Sequence, residues 1–193
     1  LHWQDGEWQL PELRVDFPGG GKLSGNGRWE TARDAAAESA LALTLQVQAF
    51  NTAQIHRQLR PTRLQGQING RFATTTQSLS FSLKDGPWTL RGGLKHANAT
   101  VDAQQIEIFN GPAHFQLDGS YQLERQEFEF AGLLRDFDPS LFVALPPARL
   151  NAAFGAAGRW ANLPQQQPEI EASLIIKDSL LFNEALSAQV QTR

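Results

Sequence analysis

Apolar and polar residues alternate along most of this chain. Leu41, Leu43, Leu45, Val47 and Ala49 alternate with Ala42, Thr44, Gln46 and Gln48. Leu79, Phe81 and Leu83 alternate with Ser78, Ser80 and Ser82, and Phe115, Leu117, Gly119, Tyr121 and Leu123 with Gln116, Asp118, Ser120 and Gln122. Phe128 and Phe130 alternate with Glu127 and Glu129. Ile170, Ala172, Leu174 and Ile176 alternate with Glu171, Ser173 and Ile175. Successive side chains of a strand point to opposite faces, so each segment has one greasy face and one mostly polar face. Strands of a parallel sheet are covered on both sides and read as continuous apolar runs; alternation as clean as this predicts an antiparallel sheet with one wet face.

Further strands are predicted over 10–16, 21–29, 63–72, 87–94, 99–109, 149–160 and 180–191. Turn signals separate them at Pro18-Gly19-Gly20-Gly21, Asp85-Gly86-Pro87, Asn110-Gly111-Pro112 and Asp118-Gly119. Many strands joined by short turns predict a meander, with neighbours in sequence paired in space.

Two stretches depart from period two. Residues 52–59 follow Asn51, an N-cap residue, and end before Pro61. Residues 140–145 follow Asp138-Pro139 and end before Pro146-Pro147. Both are predicted as short helices. They also expose a repeat. Leu59-Arg60-Pro61-Thr62-Arg63-Leu64 and Leu145-Pro146-Pro147-Ala148-Arg149-Leu150 share the pattern Leu-x-Pro-x-Arg-Leu at an offset of 86 residues. Gly70-Arg71-Phe72 and Gly158-Arg159-Trp160 match at an offset of 88, and Gly27-Arg28-Trp29 resembles the same strand. The unit is about 87 residues, which divides the chain into about 1–50 (partial), 51–137 and 138–193 (partial). A repeat of this size predicts an extended, quasi-one-dimensional sheet.

Chemistry-bearing constellations are scarce. His2, His56, His96 and His114 never fall at i,i+3 or i,i+4 and have no metal-ligand neighbours. Glu127 and Glu129 share one strand face with the spacing of a solvated surface. Gly19-Gly20-Gly21-Lys22 begins like a phosphate loop, but Leu23 stands where Ser or Thr is needed and no helix follows. Asn98-Ala99-Thr100 is a glycosylation sequon by pattern, and no serine has a nucleophile-elbow context. No catalytic, metal or cofactor site is therefore predicted, and the expectation is a non-enzyme.

Composition narrows the classes further. The 193 residues carry 17 Lys and Arg against 20 Asp and Glu, a net charge of −3, so nucleic acid is not an expected partner. The basic residues do not cluster with aromatics; Arg57, Arg60 and Arg63 lie near one helix end, where cations suit the C-terminal dipole. No apolar run approaches the roughly 20 residues of a membrane helix. The absence of cysteine excludes disulfides and thiol chemistry. The absence of methionine and a first residue of Leu1 suggest a segment of a longer protein.

The greasy face remains to be explained. At about 25 cal/mol per Å2, leaving it in water is costly, and soluble monomers rarely expose so large a patch. Three solutions exist: a sandwich that buries its own face, a closed barrel with a filled interior, and a trough whose apolar floor holds a hydrophobic ligand. The pattern alone leaves all three open, with the self-buried sandwich the ordinary outcome.

Phe137-Asp138-Pro139-Ser140-Leu141, the strand from Leu150 to Trp160 ending in Gly-Arg-Trp, the proline-led Pro168-Glu169-Ile170-Glu171-Ala172 and a strand beginning near Ser179-Leu180 together resemble the repeats of the TamB family. That family belongs to the AsmA-like superfamily of Gram-negative envelope proteins. Residues 50–193 match its repeat organisation and residues 1–49 match more loosely, with Asn51-Thr52 replacing the Asp-Pro pair in the first copy. The resemblance implies the trough: an all-β, long antiparallel meander curled into a β-taco, polar outside and apolar inside. It further implies a periplasmic bridge anchored in the inner membrane by an N-terminal helix outside this chain. Such a bridge would move phospholipid to the outer membrane and support outer-membrane biogenesis and autotransporter assembly. The partner implied is a TamA-like outer-membrane assembly barrel. On this reading the lipid-groove floor comprises Leu41, Leu43, Leu45, Val47, Leu79, Phe81, Leu83, Phe115, Leu117, Tyr121, Phe128, Phe130, Ile170, Leu174 and Ile176. The alternatives are a closed β-sandwich binding module, and a structural spacer contacting substrate β-strands through its sheet edges.

Overall fold

The structure, a computed structural model, describes residues 2–4, 7–32, 38–160 and 168–192. The described residues form thirteen strands and no α-helix. The chain divides into two compact units, Leu1–Asn98 and Ala99–Arg193. The first holds β1 (His2–Gln4), β2 (Glu7–Asp16), β3 (Lys22–Glu30), β4 (Ala40–Phe50), β5 (Leu64–Ala73), β6 (Thr76–Asp85) and β7 (Trp88–Ala97). The second holds β8 (Thr100–Asn110), β9 (Ala113–Gln122), β10 (Glu127–Phe137), β11 (Ala148–Arg159), β12 (Glu169–Leu181) and β13 (Glu184–Thr192).

Within each unit every strand pairs antiparallel with its sequence neighbours. Among the described residues no pairing joins β1 to β7 or β8 to β13, so neither unit's strands close on themselves. The fold is an all-β, open antiparallel meander, as the alternation predicts. Turn chemistry sets the registers. Gly86-Pro87 and Gly111-Pro112 each form a two-residue loop, with the glycine at φ 57°. That places glycine where a type II′ hairpin turn demands it.

The predicted helices are corrected. Each is a single 3-10 turn, Thr52–Gln54 and Pro139–Leu141. Asn51 and Asp138 do cap them, accepting from the Ala53 and Ser140 amides. An eight-residue helix is marginal in water, and side-chain bonds draw this loop shut instead. Thr52 Oγ1 donates to the Arg60 carbonyl at 2.8 Å, and Thr62 Oγ1 donates to the Phe50 carbonyl at 3.1 Å. Arg57, Arg60 and Arg63 consequently have no helix dipole to complement.

The predicted strand 180–191 is also corrected. β12 runs on to Leu181, and β13 starts at Glu184 after a turn in which Phe182 and Asn183 take φ of 53° and 63°. Phenylalanine is a poor sequence signal for such a turn, which costs it strain that glycine escapes.

The self-buried sandwich does not form within either unit. Among the described apolar residues only Ala40, Val47, Leu64, Ala73, Leu83 and Phe137 are buried. Leu94 (41 %), Phe130 (38 %) and Val190 (54 %) stay exposed although they lie on the apolar faces, where a covering layer would shield them.

Candidate functional site

In the first unit, register aligns the predicted floor residues across the sheet. Leu43 of β4 faces Gly70 of β5, which faces Leu79 of β6; Leu45, Ile68 and Phe81 make the next row, and Val47, Gly66 and Leu83 the third. Leu41 lies at the end of the same face, opposite Phe72. Val47, Leu64 and Leu83 form a buried cluster against which Leu23, Phe50, Ile68, Phe81 and Leu90 pack. The seven predicted residues of this unit therefore share one face, and Ile68, Leu64 and Leu90 join them unpredicted.

In the second unit the rows cross β9 to β12. Phe115 faces Leu134, which faces Ala152, which faces Ile176. Leu117, Gly132, Phe154 and Leu174 make the next row; Tyr121, Phe128, Gly158 and Ile170 lie further along. Phe130 sits between, opposite Gly119 and Ala156. All eight predicted residues of this unit share the apolar face. Over β8 to β11 that face is hollow, with a volume of about 440 Å3 lined by Val101, Ala103, Phe115, Leu117, Tyr121, Phe128, Phe130 and Phe154. Aromatic rings wall it. Phe115 stacks on Phe154 at 6.3 Å between centroids, Phe128 on Phe130 at 6.0 Å, and Phe128 on Trp160 at 5.2 Å.

Phe154, Val101, Ala103 and Ile106 were not predicted, and two physical effects hide them. Phe154 stands in Ala152-Ala153-Phe154-Gly155-Ala156, where small residues erase the alternation. In β8 a bulge between Ala103 and Ile106 puts residues three apart on the same face.

Bulges recur in β4, β8, β10 and β12, each with a non-glycine residue at positive φ: Ala49, Gln105, Asp136 and Asp178. A bulge bends its strand and strengthens the local twist, which shapes a sheet toward a trough. Side chains of neighbouring strands satisfy the freed backbone groups. Asp118 accepts from the Gln105 amide at 2.7 Å. Asn151 accepts from the Asp136 amide at 2.9 Å and donates to the Asp178 carbonyl at 3.0 Å. Ser179, 1 % exposed, accepts from the Asn151 amide at 2.8 Å.

The reverse face is polar and carries the charge pairs. Glu30 accepts from Arg28 at 2.9 Å and Arg71 at 3.3 Å, and the Arg28 bond foremost holds its carboxyl below the usual range. Hydrogen bonds from Thr75 lower the Glu38 carboxyl likewise. The Arg159–Glu127 ion pair raises the arginine. That pair lies in a wider depression of about 870 Å3 walled chiefly by reverse-face residues including Ser120, Gln122, Glu129, Glu169 and Glu171. Among the described residues no group of three His, Cys, Asp or Glu side chains is placed to hold a metal.

The repeat is visible in the geometry. Phe50 pairs with Leu64 as Phe137 pairs with Leu150. Asn51 Oδ1 accepts a second bond from the Thr62 amide at 3.3 Å, and Asp138 Oδ1 does so from the Ala148 amide at 3.2 Å. A positive-φ residue, Ala49 or Asp136, precedes each phenylalanine. These equivalences define a class by geometry: an open antiparallel meander with a polar face and an uncovered apolar face. Comparison with protein-family models, characterised proteins and solved structures finds no match.

Proposed function

We propose that this chain is a segment of a periplasmic bridge of the TamB and AsmA-like kind, anchored in the inner membrane through another part of the protein. It carries phospholipid toward the outer membrane, with acyl chains lying on the apolar face and headgroups toward water. In this role it supports outer-membrane biogenesis and autotransporter assembly, alongside a TamA-like barrel as partner, and performs no catalysis. One observation carries the reading. The apolar face is shared by consecutive strands in each unit and left uncovered there, while the opposite face is polar. Burying a single CH2 group contributes about 0.8 kcal/mol, so an acyl chain laid on such a face is held without any specific polar contact.

The test is native mass spectrometry of protein purified without detergent, with lipid extraction of the same sample. Near-stoichiometric phospholipid is expected. Phe130→Glu should abolish it, because the ring already sits 38 % exposed beside the hollow and its charge need not be buried for folding. Ala131→Glu, one residue along on the reverse face, should retain it. A lipid-free protein, or equal lipid in both variants, would sink the proposal.

A further inference from the structure

The repeat supplies an internal control for its own loops. Residues 51–63 and 138–149 build the same capped turn after the same bulge. The second copy contains one cation, Arg149, and Asp136 lies 3.9 Å from it. The first copy contains Arg57, Arg60 and Arg63, and Ala49 stands where Asp136 stands in the second. All three arginines are exposed, and among the described residues none has a carboxylate partner. Several strand arginines, by contrast, are paired: Arg14 with Asp16, Arg28 and Arg71 with Glu30, Arg159 with Glu127. Arg149 is the counterpart of Arg63, so the turn folds without charges at the Arg57 and Arg60 positions, and the concentration of three is not required by the scaffold. The strand ends beside the loop add Lys22 and Lys84, against Asp85, whose Oδ1 accepts from the Arg63 amide at 3.3 Å, and Asp16, engaged by Arg14. A chain of net charge −3 thus concentrates cations at one edge of its first unit. Within the same loop Ile55 is 68 % exposed.

We propose that this edge, the 51–63 loop with its flanking strand ends, docks onto an anionic phospholipid bilayer. Its guanidinium groups bind headgroup phosphates and Ile55 enters the interface. Guanidinium groups match phosphate oxygens in a bidentate fork. A soluble phosphate would use the arginines alone; an exposed Ile55 among them gains only from an apolar boundary, which a bilayer supplies. The assignment rests on the reading of this chain as a phospholipid carrier, since it places the carrier's entry or exit against its lipid store.

The experiment is flotation of the chain with vesicles of phosphatidylcholine, with and without phosphatidylglycerol. Binding to the anionic vesicles alone is expected, weakening as salt rises. Each cation near such a surface is worth about fivefold in partitioning, so Arg57→Ser/Arg60→Ser/Arg63→Ser should lower binding about a hundredfold. Ile55→Ser should lower it several-fold. Circular dichroism of each variant should match the parent, because the second copy folds its turn without arginines at the Arg57 and Arg60 positions and the Arg63 side chain is exposed. Equal binding by the triple variant, or no binding by the parent, overturns the docking. Release by millimolar inorganic phosphate together with an unaffected Ile55→Ser variant assigns the site to soluble phosphate and overturns the bilayer. Lipid extracted from the triple variant keeps the two readings separate. Retained lipid with lost flotation supports both, and a parent that floats but carries no lipid sinks only the carrier reading.

Discussion

Phe154 of β11 lies across Gly132 of β10: a Cβ on that glycine would stand 2.8 Å from the ring's Cε1 atom, closer than real Cβ atoms come. The missing side chain lets the ring lie down on the sheet and reach Phe115 two strands away. Here a glycine acts through the space it vacates, and that space forms part of the wall of the hollow. Gly132→Ala should lift the ring and destabilise the second unit by about 1–3 kcal/mol, the usual cost of overpacking. Adding Phe154→Ala should relieve the ring's share of that penalty but not the share from the Gln116 carbonyl oxygen, which would lie 2.5 Å from the same Cβ. Urea denaturation of the single and double variants measures the coupling, and additive effects would show that the two do not share the space.

Asn151 links the bulges of β10 and β12 with one side chain. Asn151→Leu removes an acceptor and a donor while keeping the volume. It should cost about 1–3 kcal/mol by leaving the Asp136 amide and the Asp178 carbonyl unpaired. Ser179→Ala should cost a similar amount, since its hydroxyl is buried and bonds Asn151 on both sides. Thermal melts give the sizes, and amide exchange at Asp136 should accelerate in Asn151→Leu alone if the assignment of that bond is right.

The two loop caps should be interchangeable, because Asn51 and Asp138 perform the same pair of acceptances. Asn51→Asp should leave the unfolding free energy within about 0.5 kcal/mol of the parent, and Asn51→Ala should cost about 1 kcal/mol. A larger loss in Asn51→Asp than in Asn51→Ala would refute the equivalence.

Acid should weaken the first unit through Glu30 and Glu38. Both carboxyls are held below their ordinary value of 4.5, the first chiefly by Arg28 and the second by Thr75. A depressed folded pKa means that the unfolded chain binds the proton more readily. The stabilisation is therefore complete above about pH 4.5 and is lost as pH falls through the lower folded value. Both groups are largely solvated, so the effect should be small. Glu30→Gln should flatten the stability profile below pH 4.5 relative to the parent, and parallel profiles would exclude Glu30 as a source.

Much of this architecture was legible in the residues. Alternation at Leu41 to Val47, Leu79 to Leu83, Phe115 to Tyr121 and Ile170 to Ile176 placed those side chains on one face, because a strand's period of two leaves no other choice. The Gly86-Pro87 and Gly111-Pro112 loops and the copies at Asn51 and Asp138 were equally visible, since φ preferences and capping are local. What failed locally was what local rules govern weakly. The helix over 52–59 shrank to a single turn as Thr52 and Thr62 closed its loop, and that over 140–145 as Asp138 tied the Ser140 and Ala148 amides together. The Phe182-Asn183 turn escaped notice because β12 and β13 impose its φ values.

Sequence by itself determined the class of element, the pairing order and the division into a greasy and a polar face, all consequences of backbone geometry and side-chain period. Tertiary structure alone decided that the greasy face stays uncovered within each unit. Coverage depends on where strands several positions apart come to lie, and bulges at Gln105, Asp136 and Asp178 set that through bends of a few residues that no hydrophobic pattern encodes. Only the folded chain, too, could show Phe154 over Gly132 and three arginine side chains without a carboxylate partner among the described residues, because both depend on which neighbours are absent.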